Sequence, residues 1–372
     1  MFPPLRIDGD IRVLTNAERA DDDATDGARS GLTARGRVAD PSELIGQHPD
    51  GGVRALHVAW PARDLFPVEL FHTGPRGRIV VMMGFAANLR ILHLLRPGDV
   101  VLSLRSYDDR EPEFDTHRNA IDVFGLDRRR VIFLCATTEQ VGIARDRGLE
   151  AAVFNHNSLL DERLFRILPR TKMYDAVSNA RLVRYKRVRL ARKVPNLAIV
   201  PGHRLEDVDY DDIRDIPHAY VADHALRDFE VVEILARAQV GLALSAREGA
   251  CFASSEYLLC GLPVVSTPSL GGRDVWYDDD NSIVCEPDEN AVAAAVRELV
   301  RRLMHGEIRR DAIRQRHVRR AAYERRILLD LLGRAASDVG GQIDVEQRFR
   351  DVFRNKYGCT FSASYAEICE TL

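Results

Sequence analysis

The chain has few cysteines, and they lack the spacing that a metal site or a disulfide framework requires. Structural zinc sites use C-x-x-C or Cys/His spacings, and small secreted domains use densely paired cysteines. The absence of both patterns argues against both classes and favours a reducing compartment, so we expect a cytoplasmic protein. The six cysteines are Cys135, Cys251, Cys260, Cys285, Cys359 and Cys369.

Long hydrophobic runs and an excess of one charge are also missing. No window reaches the roughly 18 uninterrupted apolar residues of a membrane-spanning helix, and the N-terminal MFPPLRIDGD lacks the basic and apolar regions of a signal peptide. Lys and Arg number 53 against 56 Asp and Glu, a formal net charge of -3. We therefore expect neither a transmembrane segment nor a nucleic-acid partner, while a peripheral contact with a membrane stays open.

Short apolar runs alternate with longer helical patterns along the chain. Examples are RIVVMMG, DVVLSL and RVIFLCAT in the first half, and NLAIVPG, VGLALS and LPVVST in the second. Such continuous runs are typical of strands buried on both faces of a parallel sheet, and their alternation with helices indicates an α/β fold. The sequence predicts two successive α/β domains, at 1–168 and 169–340, followed by a helical tail at 341–372 that packs back on the first domain.

The stretch SAREGACFASSEYLLCGLPVVSTPSLGG, residues 245–272, places Glu248 and Glu256 among small and apolar residues. We interpret it as a loop after a buried strand, a helix that Gly261 ends, and the next strand and loop. Loops after the carboxyl ends of parallel strands form the ligand crevice. A carboxylate there can accept hydrogen bonds from adjacent sugar hydroxyls. The alternative is that both glutamates are ordinary surface charges.

A second candidate, NARLVRYKRVRLARK, follows a predicted strand and holds seven basic residues between Arg181 and Lys193. One interpretation is that part of this run binds an anion such as a diphosphate. The other is a solvated helix face, with a phosphate-bearing acceptor or an anionic surface as further alternatives for Arg184, Arg187, Arg189, Arg192 and Lys193.

Together these segments resemble the donor site of the retaining glycosyltransferases of family 4. The shared features in 245–272 are Glu-Gly, seven residues between two glutamates, a Gly-x-Pro-Val-Val strand entry and a Gly-Gly loop, and Arg181 and Lys186 match the family's R-x4-K pair. The resemblance implies a GT-B fold, in which two Rossmann-like domains with parallel sheets face an interdomain cleft. The acceptor side would be 1–168 and the nucleotide-sugar side 169–340.

The resemblance also implies roles for individual residues. Glu248, Arg181 and Lys186 would be catalytic: Glu248 would contact the donor sugar, and the two cations would neutralise the diphosphate and the charge on the leaving nucleotide. Glu256 would hold the ribose hydroxyls. The backbone amides of the intervening loop would line the sugar pocket, and the residues of that loop are Gly249, Ala250, Cys251 and Phe252.

Cofactor and partners follow from the same resemblance. No metal and no cofactor are implied, because the two cations take the metal's role and no D-x-D motif in a fitting loop competes for it. The co-substrate would be a nucleotide diphosphate sugar, and the acceptor a hydroxyl of a small molecule, a glycan or a lipid-linked molecule. A GT-B phosphorylase and a non-catalytic nucleotide-sugar-binding or scaffolding protein with a GT-B fold are the alternatives.

This chain departs from the family pattern in two places. Ala250 and Cys251 stand where the family often has an aromatic residue and further glycines, so the identity of the sugar stays open, as do the base, the acceptor and the oligomeric state. In the first domain the family often places a histidine beside the donor sugar. The comparable position here holds Arg105, Ser106 or Tyr107, with His72 and His117 as alternatives.

Overall fold

The computed structural model divides the chain into two compact units. They are Met1–Asn155 together with Ile327–Leu372, and His156–Arg326. The residues that it describes are 68–105 without 86, 87, 89, 90 and 93, then 111–202, 213, 216, 219–222 and 226–356, with the backbone alone at 10–14, 45–47, 53–59 and 111–112. Ser106 and Tyr107 lie outside the described residues.

The first unit is built on a five-stranded sheet in the order β4-β5-β6-β7-β8. The strands β5 to β8 are parallel, as predicted, whereas β4 pairs antiparallel with β5. Strands β1 and β2 both pair with β3 in a separate three-stranded sheet. The elements of this unit are β1 (Asp10–Leu14), β2 (Ile45–Gln47), β3 (Val53–Ala59), β4 (Val68–Gly74), β5 (Gly77–Met83), β6 (Val100–Leu104), α1 (Glu111–Val123), β7 (Val131–Cys135), α2 (Thr138–Asp146) and β8 (Glu150–Val153).

The second unit contains a six-stranded sheet in the order β11-β10-β9-β12-β13-β14, in which every neighbouring pair is parallel. Apolar clusters cover both faces of this sheet, which explains why its strands read as continuous hydrophobic runs. Its elements are β9 (Tyr174–Ala180), β10 (Leu197–Pro201), β11 (Tyr220–Val221), α3 (Asp228–Ala236), β12 (Ala238–Ala243), α4 (Phe252–Leu259), β13 (Val264–Ser266), β14 (Ser282–Val284) and α5 (Glu289–Met304), followed by α6 (Arg310–Val339) and α7 (Val345–Val352).

Both boundaries lie earlier in the chain than the sequence places them, at 155 rather than 168 and at 326 rather than 340. Residues just after 155 bond to the second unit, as when Asn157 donates to the carbonyl of Ala250. The end of α6 bonds to the first unit, where Asp338 accepts from Arg130 at 2.7 Å. Tail helix α7 also belongs to the first unit, and its Arg348 donates to the carbonyl of Phe71.

Arginines on α6 bind backbone carbonyls of the second unit. Arg310 donates to the carbonyls of Gln239 and Gly261 at 3.1 Å, and Arg314 donates to those of Phe165 and Leu259. The last carbonyls of a helix have no partner within the helix. The two guanidiniums therefore satisfy carbonyls at and just after the C-terminus of α4, the helix that carries Glu256. The Arg-rich pattern of α6 thus has a structural role.

One histidine on α6 is buried without a polar partner. His317 is 4% exposed, its two ring nitrogens have no hydrogen bond, and its ring packs 4.6 Å from that of Trp276. Burial, reinforced by the nearby Arg320, Arg325 and Arg314, lowers the pKa of His317 to about 3. The folded unit therefore holds this imidazole neutral.

This burial predicts a pH-dependent loss of stability. Below about pH 6.5 the unfolded chain binds a proton at His317 that the folded chain does not, so the free energy of unfolding falls as the pH falls from about 6.5 to about 3. The slope from one proton is at most about 1.4 kcal/mol per pH unit. We expect His317→Leu to remove this contribution, and exposed His305→Leu to retain it.

Urea unfolding at a series of pH values measures the effect. A Trp60→Phe background leaves Trp276 as the single tryptophan, so its fluorescence reports on the second unit. Equal pH slopes for the His317 variant and its parent would show that this histidine does not control acid stability.

Candidate functional site

The candidate site lies where the strand order of the second sheet reverses. From β9 the chain moves to β10 and β11 on one side, and β12 then returns to the other side of β9. In open parallel sheets, ligands bind outside the carboxyl ends of the strands at such a switch point. Lys186 follows β9 and Glu248 follows β12, so the two segments chosen from sequence meet at this edge.

Lys186 and Glu248 form an ion pair between their Nζ and Oε1 atoms. Their side chains are only 14% and 12% exposed, so solvent screens the pair weakly. Burial acts to lower the pKa of Lys186, but the Glu248 carboxylate, with Cys251 and Tyr185, outweighs it, so this pKa lies above its usual value. Lys186 is therefore a charged ammonium across the physiological range.

The backbone fixes the position of this pair. The amide of Ala246 donates to the carbonyl of Tyr185 at 2.7 Å, which ties the loop after β12 to the short 3₁₀ turn that carries Lys186. On the other side, the amide of Glu248 donates to the carbonyl of Leu270 at 2.8 Å. Loops from three strand ends therefore hold the carboxylate and the ammonium together.

Glu256 lies on α4 and is only 3% exposed. Its Oε2 accepts from the side-chain amide of Asn179 at 2.6 Å. The backbone amide of Asn179 donates to the hydroxyl of neighbouring Tyr257, and that hydroxyl donates to the carbonyl of Leu242. A Cβ on Gly241 would come within 2.3 Å of the Tyr257 ring. These contacts fix helix α4 against the ends of β9 and β12, and Glu256 faces Asn179 near the end of β9.

The loop between the glutamates is also fixed. Cys251 has a left-handed backbone with φ 60 at the start of α4. Asn157 donates to the carbonyls of Ala250 and Cys251 at 2.6 and 2.9 Å, and to the hydroxyl of Ser255. Burial, with the charge of Glu248, raises the pKa of the Cys251 thiol to about 12, so the thiol is protonated. Ala250 is 1% exposed and Phe252 packs against the ring of His156.

Arg181 occupies a different place from its predicted partner Lys186. Its guanidinium donates to the hydroxyl of Tyr185 at 3.3 Å. Its side chain packs against Gly202, where an added Cβ would lie only 2.6 Å from the Cγ of Arg181. It is Lys186 that contacts Glu248. Tyr185 therefore joins the two cations: its hydroxyl faces Arg181, and its ring centroid is 5.4 Å from the Lys186 ammonium.

The rest of the basic run is mostly exposed, as the solvated-face interpretation holds, but it forms two short 3₁₀ helices, Arg184–Lys186 and Val188–Ala191. Helix α5 neutralises its end, where Arg192 pairs with Glu289 at 2.5 Å and Lys193 donates to Asn290.

Sequence reasoning missed Arg273, which organises the loops around Glu248. Its side chain is 0% exposed, and its guanidinium donates to the carbonyls of Ala243, Ser245 and Thr267 at 2.9, 3.1 and 2.6 Å. Its Nε donates to Asp274 at 2.7 Å. One buried cation thus joins the carboxyl ends of β12 and β13. The only sequence signal was its position after the Gly-Gly pair.

In the first unit, Arg105 and His117 are buried in the core, and His72 is half-buried. Arg105 donates to Nε2 of His117 and pairs with Glu113 at 3.4 Å. The His117 ring stacks on Phe133 at 5.0 Å, and burial, reinforced by Arg105, lowers its pKa well below the usual value. The Nε2 of His72 contacts the carbonyl of Gly340 at 3.0 Å. Both histidines therefore make contacts that support the fold of this unit.

Residues 184–302 match the family model of glycosyl transferases group 1. The matched region includes Lys186, Glu248 and Glu256, and it begins just after Arg181. No curated protein sequence matches the chain. In the described part of the chain, no helix has the length and apolar character needed to cross a bilayer.

Solved structures identify the fold. HepE from Anabaena, in complex with UDP and glucose, is 12% identical with a TM-score of 0.51, over 68% of this chain and 77% of that chain. Sucrose-phosphate synthase from Thermosynechococcus elongatus is 13% identical with a TM-score of 0.53, over 69% and 74%. TarM is 14% identical with a TM-score of 0.53, over 68% and 54%. The chain has the α/β fold with parallel-strand sheets of the GT-B glycosyltransferases, as predicted.

Proposed function

We propose that the chain is a retaining glycosyltransferase that moves a sugar from a nucleotide diphosphate sugar to an acceptor hydroxyl without a metal ion. The observation that carries the proposal is the Lys186–Glu248 ion pair at the switch point, with Glu256 on the adjoining helix. A cation for the diphosphate and two carboxylates for hydroxyls are the groups that such a donor requires. HepE shows that a GT-B fold can hold UDP and glucose.

The proposed division of labour is the one that the family resemblance implies. Lys186 and Arg181 bind the diphosphate, and their charge stabilises the negative charge that grows on it as the glycosidic bond breaks. Glu248 accepts hydrogen bonds from the sugar, and Glu256 from the ribose. The segment Gly249–Phe252 lines the sugar pocket, and its shape there includes the left-handed turn at Cys251.

The reaction then balances without a protein base. The bond between the anomeric carbon and the β-phosphate oxygen breaks, and its electron pair stays on the phosphate oxygen. The acceptor oxygen bonds to the anomeric carbon on the face that the phosphate leaves, and its proton passes to that phosphate oxygen. The products are the glycoside and the protonated nucleoside diphosphate. Two fixed cations supply the electrostatic stabilisation that a divalent metal supplies elsewhere.

Donor turnover by the purified chain tests the proposal. UDP-, GDP- and ADP-sugars are first screened by thermal shift, because a ligand that binds the folded state raises its stability. Release of nucleoside diphosphate is then measured with and without EDTA and with and without inorganic phosphate. We expect release that EDTA does not abolish, and a product with retained anomeric configuration. Formation of a sugar phosphate would indicate a phosphorylase, and binding without any turnover would indicate a non-catalytic protein.

We expect Glu248→Ala to keep nucleotide binding and to lose sugar transfer, by about a hundredfold or more in kcat, because its hydrogen bonds strengthen as charge develops on the sugar. Glu298→Ala removes a half-exposed glutamate of α5 outside the candidate site and serves as the matched control, with an unchanged rate expected. Wild-type transfer by the Glu248 variant would show that the proposed role of this carboxylate is wrong.

A further inference from the structure

The Lys186–Glu248 pair has a consequence for which nucleotides the site prefers. Under the proposed function, a diphosphate and the Glu248 carboxylate both draw on the same ammonium. Both side chains are largely buried, at 14% and 12% exposure. A carboxylate in such surroundings is unfavourable when it loses its cation and gains no other partner.

Two nucleotides would treat Glu248 differently. A nucleoside diphosphate accepts hydrogen bonds from Lys186 and brings further negative charge close to the carboxylate. It donates no hydrogen bond to Glu248 in compensation. A nucleotide sugar does the same at its diphosphate, but its sugar hydroxyls donate to Glu248 and compensate for the weakened ion pair. The difference between the two ligands is therefore concentrated at one carboxylate.

Backbone hydrogen bonds restrict the movement of Glu248 away from Lys186. The amide of Glu248 bonds to the carbonyl of Leu270, and the preceding loop bonds through Ala246 to Tyr185, next to Lys186. The backbone thus keeps the carboxylate beside the ammonium. Glu256 provides the contrast, because its carboxylate is held by the neutral amide of Asn179 rather than by Lys186.

We propose that the Lys186–Glu248 ion pair makes the site select an intact nucleotide diphosphate sugar over the nucleoside diphosphate that remains after transfer. This inference rests on the proposed function and names a specificity of that same site. Once the sugar has left, Lys186 is again the principal partner of Glu248. The carboxylate then competes with the diphosphate for the ammonium, so the diphosphate binds more weakly. Release of the nucleotide product is thereby favoured.

Binding constants test the selection. Calorimetry with UDP, GDP, ADP and their glucose nucleotides identifies the base that binds, and the two members of that pair are then compared in three proteins. For Glu248→Gln we expect the nucleoside diphosphate to bind about tenfold more tightly and the glucose nucleotide no more tightly, which corresponds to the loss of about one charged hydrogen bond. The matched control Glu256→Gln is expected to shift both ligands alike and to leave their ratio unchanged.

Glu248→Asp provides a second variant that keeps the charge but draws it back from Lys186. It is expected to move the ratio in the same direction by a smaller factor. An unchanged ratio in both Glu248 variants, or an equal change of ratio in Glu256→Gln, would overturn the inference and leave the proposed function standing. If none of the six nucleotides bound the unmodified chain, the proposed function would fall, and the inference with it.

Discussion

Replacing Lys186 with alanine is expected to lower kcat/KM for a nucleotide sugar by about a thousandfold. Loss of a preorganised charge that stabilises developing negative charge typically reduces turnover by about a hundred- to a thousandfold, and this lysine would also bind the ground-state diphosphate. Nucleotide affinity should therefore fall as well. In contrast, Glu248→Ala is expected to retain nucleotide binding, and this difference separates the cation's role from the carboxylate's.

The same replacement should destabilise the second unit. Without Lys186, Glu248 is left as a largely buried charge with 12% exposure, and breaking a buried pair by removing one partner costs about 3–5 kcal/mol. Removing both charges in Lys186→Ala with Glu248→Ala should restore much of the stability but none of the activity.

Steady-state kinetics and urea unfolding measure both effects. Lys193→Ala is the matched control, since this lysine belongs to the same basic run but is 48% exposed beside Glu289. Exposed pairs contribute about 0–1 kcal/mol, so its stability and kcat/KM should stay near those of the unmodified chain. Similar losses in the two lysine variants would show that general charge, not the position of Lys186, matters.

Arg273→Met is expected to lower the free energy of unfolding of the second unit by about 3–5 kcal/mol. The change removes a fully buried guanidinium that serves three carbonyls at the ends of β12 and β13. Those carbonyls then lose a charged donor in a place where solvation is poor, which is unfavourable even though the Ser266 hydroxyl still bonds to the carbonyls of Ala243 and Thr267. Arg273→Lys should recover only part of the loss, because a single ammonium cannot span both strand ends.

A matched arginine makes this prediction specific. Arg301 also makes several charged hydrogen bonds, to Glu298 and Glu307, but its side chain is 46% exposed. Arg301→Met should therefore change stability by about 0–1 kcal/mol. Trp276 fluorescence in the Trp60→Phe background follows both variants. Equal destabilisation would mean that the number of bonds, rather than their burial, sets the contribution of an arginine here.

Strands with continuous apolar runs were predictable because both faces of their sheets are covered. Strand β4 was not, since only two of its seven residues, Val68 and Phe71, are buried, and its antiparallel pairing with β5 depends on the turn between them. The charge of the basic run could be read from the sequence, but its backbone conformation could not. Its two 3₁₀ turns meet at Arg187, whose left-handed backbone with φ 54 no local preference for arginine indicates.

In the candidate site, too, some residues could be predicted from the sequence and others could not. Glu248 and Lys186 could each be chosen from a local motif, but they lie 62 residues apart, and their direct contact depends on the strand order. Asn157 lies in none of the motifs, and Arg273 is marked only by its position after the Gly-Gly pair. Each serves carbonyls that come from distant segments, so their importance follows from tertiary packing alone. Sequence therefore reveals the groups with a proposed chemical role more readily than the groups that position them.

The left-handed backbone at Cys251 marks a position where a substitution can raise stability. A non-glycine residue in that conformation costs about 1–2 kcal/mol, which a glycine avoids. A lineage adapting to heat thus has an easy first step in Cys251→Gly. That step deletes a thiol whose surroundings include the charges of Glu248 and Lys186. Because the thiol is protonated, the glycine variant would relieve backbone strain without removing an ionised group.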